Sequence, residues 1–134
     1  MRPAPRAEGT LDETLTLEST SLLMTNVQDP FVPENPPYAL SDEERLIAVD
    51  VVLGNVGTEK DLTYSHIYFT AIDLQGEHIY VPSQAFGTTV GAGSLAPGSK
   101  ATGRVVFLVP ATVEINTIRY KPFEETALIL IDLP

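Results

Sequence analysis

Apolar and polar residues alternate along much of this chain with a period of two, the spacing that sends successive side chains to opposite faces of a β-strand. The strongest run is Leu46-Ile47-Ala48-Val49-Asp50-Val51-Val52-Leu53. Ile47, Val49, Val51 and Leu53 share one face, and the other keeps Leu46, Ala48 and Val52 with Asp50 as its polar member. Both sides are therefore expected to be covered, as in a central strand of a sandwich. A second run, 101–109, puts Ala101, Gly103, Val105, Phe107 and Val109 on one face, with Lys100, Thr102 and Arg104 starting the other. Weaker alternation predicts a half-buried strand over 11–18 and a short extended segment over 21–27, with Leu22, Leu23, Met24 and Val27 turned to the core. The aromatic and β-branched run 67–74, closed by Gln75-Gly76 and followed by 78–81, reads as a hairpin. Two more strands are expected at 115–121 and 126–133, separated by Pro122-Phe123-Glu124-Glu125.

Turn residues punctuate these runs. Pro97 presets φ for the first central position of a turn and Gly98 accepts the positive φ of the second, which specifies a type II turn ahead of 100–109. Gly54-Asn55-Val56-Gly57 ends the central strand by the same tolerance of left-handed φ. Between 28 and 44 stand Pro30, Pro33, Pro36 and Pro37, which exclude a regular central strand and favour a stiff loop. Ser41 and Glu44 have capping-box spacing, although a solvated turn is the simpler expectation there. The stretch 82–94 is a glycine-rich connection, and residues 1–9 read as a tail or linker with nothing to pack. With no convincing helix, the pattern predicts an all-β sandwich of about seven to eight antiparallel strands forming one domain over 10–134.

Composition narrows the class. At 134 residues, folding should bury roughly 65–70% of the unfolded surface, enough for one core. Eighteen acidic residues against eight basic ones give a net charge of −10, which argues against nucleic acid or an anionic membrane surface as partner. There is no cysteine, so disulfides and thiolate chemistry are excluded. No apolar run approaches the roughly 18 residues that span a bilayer, and direct membrane insertion is not expected. The first ten residues lack the apolar segment of a signal peptide, so an exported protein would have shed its export signal or anchor before Met1.

Four features, taken in order, resemble one family: the apolar strand ending in Gly54-Asn55-Val56-Gly57, then 69–73 with Gly76, then Leu95-Ala96-Pro97-Gly98, then Gly103-Arg104-Val105-Val106-Phe107-Leu108-Val109-Pro110. Together, over about residues 11–133, they look like the immunoprotective extracellular, immunoglobulin-like family of small domains in bacterial secreted proteins and lipoproteins. The resemblance implies an immunoglobulin-like antiparallel β-sandwich outside the cytoplasm, and supplies no catalytic residues or cofactor. The chain departs from many such domains in its proline loop, 28–40, and its glycine loop, 82–94.

Those loops and the polar residues hold what candidate chemistry the chain offers. Gly87-Thr88-Thr89-Val90-Gly91-Ala92-Gly93-Ser94 superficially resembles a phosphate loop, but it lacks the lysine and leads into a turn rather than a helix. The dinucleotide fingerprint fails too, with Ala96 where the third glycine belongs. His66 and His78 are expected on neighbouring strands and could hold a transition metal with Asp73 or Glu77, though strand histidines beside Tyr68 and Tyr80 more often face solvent. Ser65 and His66 are adjacent in an extended segment, point to opposite faces and make no dyad. The clusters Asp12-Glu13, Asp42-Glu43-Glu44 and Glu124-Glu125 could meet at one end of the sandwich and bind calcium, but scattered surface charge is the plainer reading. The expectation is therefore a non-enzymatic module at the cell envelope or exterior that contacts an unknown protein through Phe31, Tyr38 and Phe86, with no metal and no cofactor. The competing class is a cation- or small-ligand-binding sandwich using the carboxylates or the two histidines.

Overall fold

The computed structural model describes residues 6–33, 39–73, 79–83, 86–121 and 128–133. Its eleven strands are β1 (Arg6–Thr10), β2 (Leu15–Leu17), β3 (Thr20–Gln28), β4 (Glu44–Asn55), β5 (Leu62–Ser65), β6 (Phe69–Asp73), β7 (Ile79–Tyr80), β8 (Ala92–Leu95), β9 (Lys100–Pro110), β10 (Ile115–Tyr120) and β11 (Leu128–Asp132). They form a five-stranded sheet in the order β1-β11-β10-β6-β7, a four-stranded sheet β2-β3-β4-β9, and a two-stranded ribbon β5-β8. The protein is an all-β sandwich, and a single 3₁₀ turn, His66–Tyr68, interrupts it among the described residues.

The core follows from the alternation. Ile47, Val49, Val51 and Leu53 of β4 meet Leu22 and Met24 of β3 and Val105, Phe107 and Val109 of β9 on the inner face of the four-stranded sheet. Phe69 and Ala71 of β6, Ile118 and Tyr120 of β10, and Ile129 and Ile131 of β11 close it from the other sheet. The Phe69 and Tyr120 rings pack at 4.7 Å between centroids. Phe107 is wholly buried here, and side chains of that size contribute about 3–5 kcal/mol by the cost of their truncation. β4 pairs with β9 from Glu44 to Gly54 and with β3 from Ala48 to Asn55, which makes it an inner strand of its sheet.

Three short strands were not legible as strands. β1 pairs in parallel with β11, from Arg6 opposite Leu128 to Thr10 opposite Asp132, so the expected tail of residues 1–9 is strand from Arg6 onward. Residues 1–5 lie outside the described residues. β5 and β8 are the others, and all three are held by main-chain pairing more than by apolar alternation. The expected strand over 11–18 shrinks to β2, because Asp12 and Glu18 both take positive φ and turn the chain at either side of it. Ile67 and Tyr68, expected at the start of a strand, belong to the 3₁₀ turn, where the Ser65 hydroxyl accepts from the Ile67 amide. The β6–β7 hairpin forms as expected, with Ala71 opposite Tyr80. Ser41 and Glu44 make a turn without a helix: the Glu44 carboxylate accepts from the Ser41 hydroxyl at 3.1 Å, and β4 begins at once.

Candidate functional site

The outer face of the four-stranded sheet is where the two loops singled out in the sequence converge. Leu46, Ala48 and Val106 point outward from β4 and β9 and build a second, smaller apolar cluster with Phe86; Phe31, Leu40 and Leu108 pack against it. Sequence alternation dictates this, since β4 carries apolar residues on both faces and something must cover the outer one. The proline loop reaches it from one side. Its Phe31 amide donates to the Leu46 carbonyl at 2.8 Å, extending the sheet beyond the end of β3.

Polar groups fix the Phe31 ring. The Arg104 guanidinium lies 5.0 Å from the ring centroid, a cation–π contact. Arg104 in turn donates to Asp50 at 3.2 Å, and the second carboxylate oxygen of Asp50 accepts from Asn26 at 3.0 Å. Asn26 sits at φ 54° inside the irregular stretch where β3 slips register against β4, a bulge that aims its amide at Asp50. The Arg104–Asp50 pair is partly solvated, so its worth lies in positioning more than in stability. At the base of the loop, Arg45 holds Asp29 at 2.8 Å and donates from its Nη1 to the carbonyls of Pro110, Ala111 and Val113. One guanidinium thereby ties the proline loop to the β9–β10 turn.

The contact residues expected from sequence are separated by these observations. Phe86 is only 3% exposed, so it is a core residue of the outer cluster and presents no surface to a partner. The reason is the apolar outer face of β4, which requires an aromatic cover. Phe31 is half-buried, with its ring committed to Arg104 and the cluster. Tyr38 lies outside the described residues. The proline loop does present Val32, 81% exposed next to Phe31, and just ahead of the glycine loop Val81 is 66% exposed beside the bridge from Pro82 to Phe107. Val32 was not singled out in the sequence, because a lone valine in a loop carries no periodicity, and Val81 was read only as the end of the hairpin strand 78–81.

The glycine loop covers a sheet edge. The Thr88 hydroxyl accepts from the Val106 amide at 3.0 Å and the Thr89 hydroxyl from the Arg104 amide at 2.9 Å, while the Thr89 amide donates to the Arg104 carbonyl. The outward groups of Arg104 and Val106 on the β9 edge are thereby satisfied. Gly103 makes the approach possible: a Cβ there would sit 2.6 Å from the Val90 Cα.

At the other end of the sandwich the two turn motifs meet. The side-chain amide of Asn55 is buried and donates to the carbonyls of Lys60 (2.8 Å) and Leu95 (2.9 Å), and its oxygen accepts from the Gly57 amide (3.0 Å). The Ser99 amide donates to the Ala96 carbonyl across Pro97-Gly98, with Gly98 at φ 84°, which is the expected type II turn. Nearby, a cleft of about 140 Å³ is lined by Glu18, Ser19, Thr20, Lys60, Asp61 and Leu62. Glu59 lines the adjoining depression with Ser19 and Lys60. Among the described residues no three His, Cys, Asp or Glu side chains are grouped to hold a metal ion. The Glu13 carboxylate accepts from the Thr10 amide, Glu44 serves the Ser41 turn, and Glu124 and Glu125 lie outside the described residues. His66 occupies the 3₁₀ turn rather than a strand, and His78 also lies outside the described residues.

No family model matches the sequence, and no curated protein is significantly similar to it. Solved structures do match in fold. A secreted protein of Mycobacterium tuberculosis, MPT63, superposes with a TM-score of 0.73 at 14% identity, covering 95% of this chain and 97% of that one. The yjhA protein of Bacillus subtilis gives 0.72 at 20% identity, over 94% and 99% of the two chains. A candidate lipoprotein of Bacillus subtilis, ycdA, gives 0.67 at 15% identity, covering 89% of this chain and 38% of that one. At these identities the likeness is one of fold.

Proposed function

We propose that this protein is a non-enzymatic, extracytoplasmic immunoglobulin-like module that makes protein contacts through the outer face of its four-stranded sheet. The observation that carries the reading is the exposure of Val32 on a loop pinned by Arg45, Arg104 and the Leu46 carbonyl. An apolar side chain held in solvent on a rigid support loses little conformational freedom on binding, which favours recognition. The fold likeness to a secreted protein and to a candidate lipoprotein supports a location outside the cytoplasm. The family resemblance read from the Gly54-Asn55-Val56-Gly57 and Leu95-Ala96-Pro97-Gly98 motifs points the same way.

The test is site-specific photocrosslinking in the producing cell. A photoreactive residue at position 32 is expected to give one discrete adduct in the envelope or culture-medium fraction. A protein confined to the cytoplasm, or an adduct pattern no different from that of a probe at Lys121, overturns the proposal. The cation-binding alternative uses surface carboxylates or the two histidines; Glu18 and Asp61 are carboxylates that line one cleft. A melting temperature that does not move at millimolar calcium removes it, because a ligand in excess that binds the native state must stabilise it.

A further inference from the structure

The ribbon β5-β8 is two strands wide, and among the described residues nothing pairs with the edge of β8 that faces away from β5. Antiparallel pairs alternate between those that exchange hydrogen bonds and those that do not. The His66 amide donates to the Gly91 carbonyl at 2.8 Å, which fixes the phase: Gly93 and Leu95 bond to Tyr64 and Leu62, while Ala92 and Ser94 turn their N–H and C=O groups outward. Ala92, Gly93 and Ser94 are all exposed, and among the described residues no backbone group meets that edge. Both ends of β8 are fixed, at Gly91 by His66 and at Leu95 by the Asn55 side chain.

Other edges of this molecule are managed. The hydroxyls of Thr88 and Thr89 cap β9. β2 and β7 are three and two residues long. β1 carries Glu8, and β5 follows Asp61 and buries Ser65. Positions 91–94, Gly-Ala-Gly-Ser, hold no charge, no proline and no bulky side chain, so at this four-residue strand only its shortness deters strand addition.

We propose that this edge is a self-association site, at which a second copy of the chain adds its own β8 antiparallel and joins two ribbons into one four-stranded sheet. The register is self-complementary. With the two-fold axis at Gly93, Ala92 of each copy lies opposite Ser94 of the other, and all four outward groups on each strand are satisfied. Gly93 then faces its own copy across a non-hydrogen-bonded pair, roughly 4.5 Å between Cα atoms, with no side chain to collide. A second copy is favoured over a foreign charged strand because these positions offer no charge to recognise. The net charge of −10 on each chain opposes encounter at low ionic strength, so association strengthens as salt is added. No residue of β8 belongs to the outer cluster beside Val32, and the inference does not rest on the contact proposed there.

Sedimentation velocity from micromolar to millimolar protein, at low and high salt, is the direct test. The expected result is a reversible dimer that tightens with salt. Ser94→Pro removes an outward N–H with no partner among the described residues, and should weaken the dimer by about twenty-five-fold, since two symmetry-related bonds are lost at roughly a factor of five each. Val32→Asp should leave it unchanged. In amide exchange on the unmodified protein, Ala92 and Ser94 should gain protection as concentration rises while Thr63 does not. A monomer at every concentration, a dimer indifferent to Ser94→Pro, or exchange at 92 and 94 independent of concentration overturns the proposal. If Ser94→Pro fails to fold, the exchange measurement decides alone.

Discussion

Asn55 makes three side-chain hydrogen bonds while almost completely buried, and through them joins the end of β4, the turn at Gly57 and the end of β8. Removing such a group leaves buried donors and acceptors unmatched, each costing about 1–3 kcal/mol. Asn55→Ala should therefore lower unfolding stability by about 3 kcal/mol in urea titration, and Asn55→Asp should fare no better because it lacks the two N–H donors. Gly98 is a smaller case. Its φ of 84° strains any residue with a Cβ, and Gly98→Ala should cost about 1 kcal/mol by the same measurement. Arg45 serves four acceptors from one planar fork, so Arg45→Lys should destabilise nearly as much as Arg45→Met, about 2 kcal/mol. The importance of Asn55 was half legible. The Gly-Asn-Val-Gly signature marked a turn, but the carbonyls that Asn55 reaches belong to Lys60 and Leu95, and a local reading of the turn does not extend to Leu95.

At the scale of elements, the two loops carry the difference between pattern and structure. Their departure from the family that the sequence resembles marked both as functional candidates, and they do converge on one face. Each nevertheless serves the fold as well, because the proline loop roofs the outer cluster and the glycine loop seals the edge of β9. Gly103→Ala should push Val90 off the edge and raise amide exchange at Arg104 and Val106 by at least about tenfold, an opening free energy change of roughly 1.4 kcal/mol. A substitution confined to the hydroxyls, Thr88→Val with Thr89→Val, should raise exchange at the same two amides with little effect on the core. Exchange unchanged at both positions would mean that the loop does not protect this edge. Phe86 shows why a contact residue is hard to read from a loop. An aromatic in a glycine-rich stretch looks exposed until the outer face of β4 is seen to need covering.

For the whole molecule, charge and topology act separately. A net charge of −10 on a chain of this size stores self-repulsion that screening relieves, so the melting temperature should rise by several degrees between low salt and physiological ionic strength. A flat response would show that the carboxylates are already locally compensated. The sequence by itself determined the all-β class, the place of β4 at the centre of its sheet, the inward sets of β4 and β9 and the type II turn at Pro97-Gly98. These depend on the period of two and on local backbone preference, which act within a few residues. Only the tertiary structure decided that β1 pairs with β11 from the opposite end of the chain, that β5 and β8 form a two-stranded ribbon, and that Phe86 turns inward while Val32 turns out. Those outcomes depend on which backbone hydrogen bonds remain to be filled once the sheets have met, and that is a property of the assembled fold.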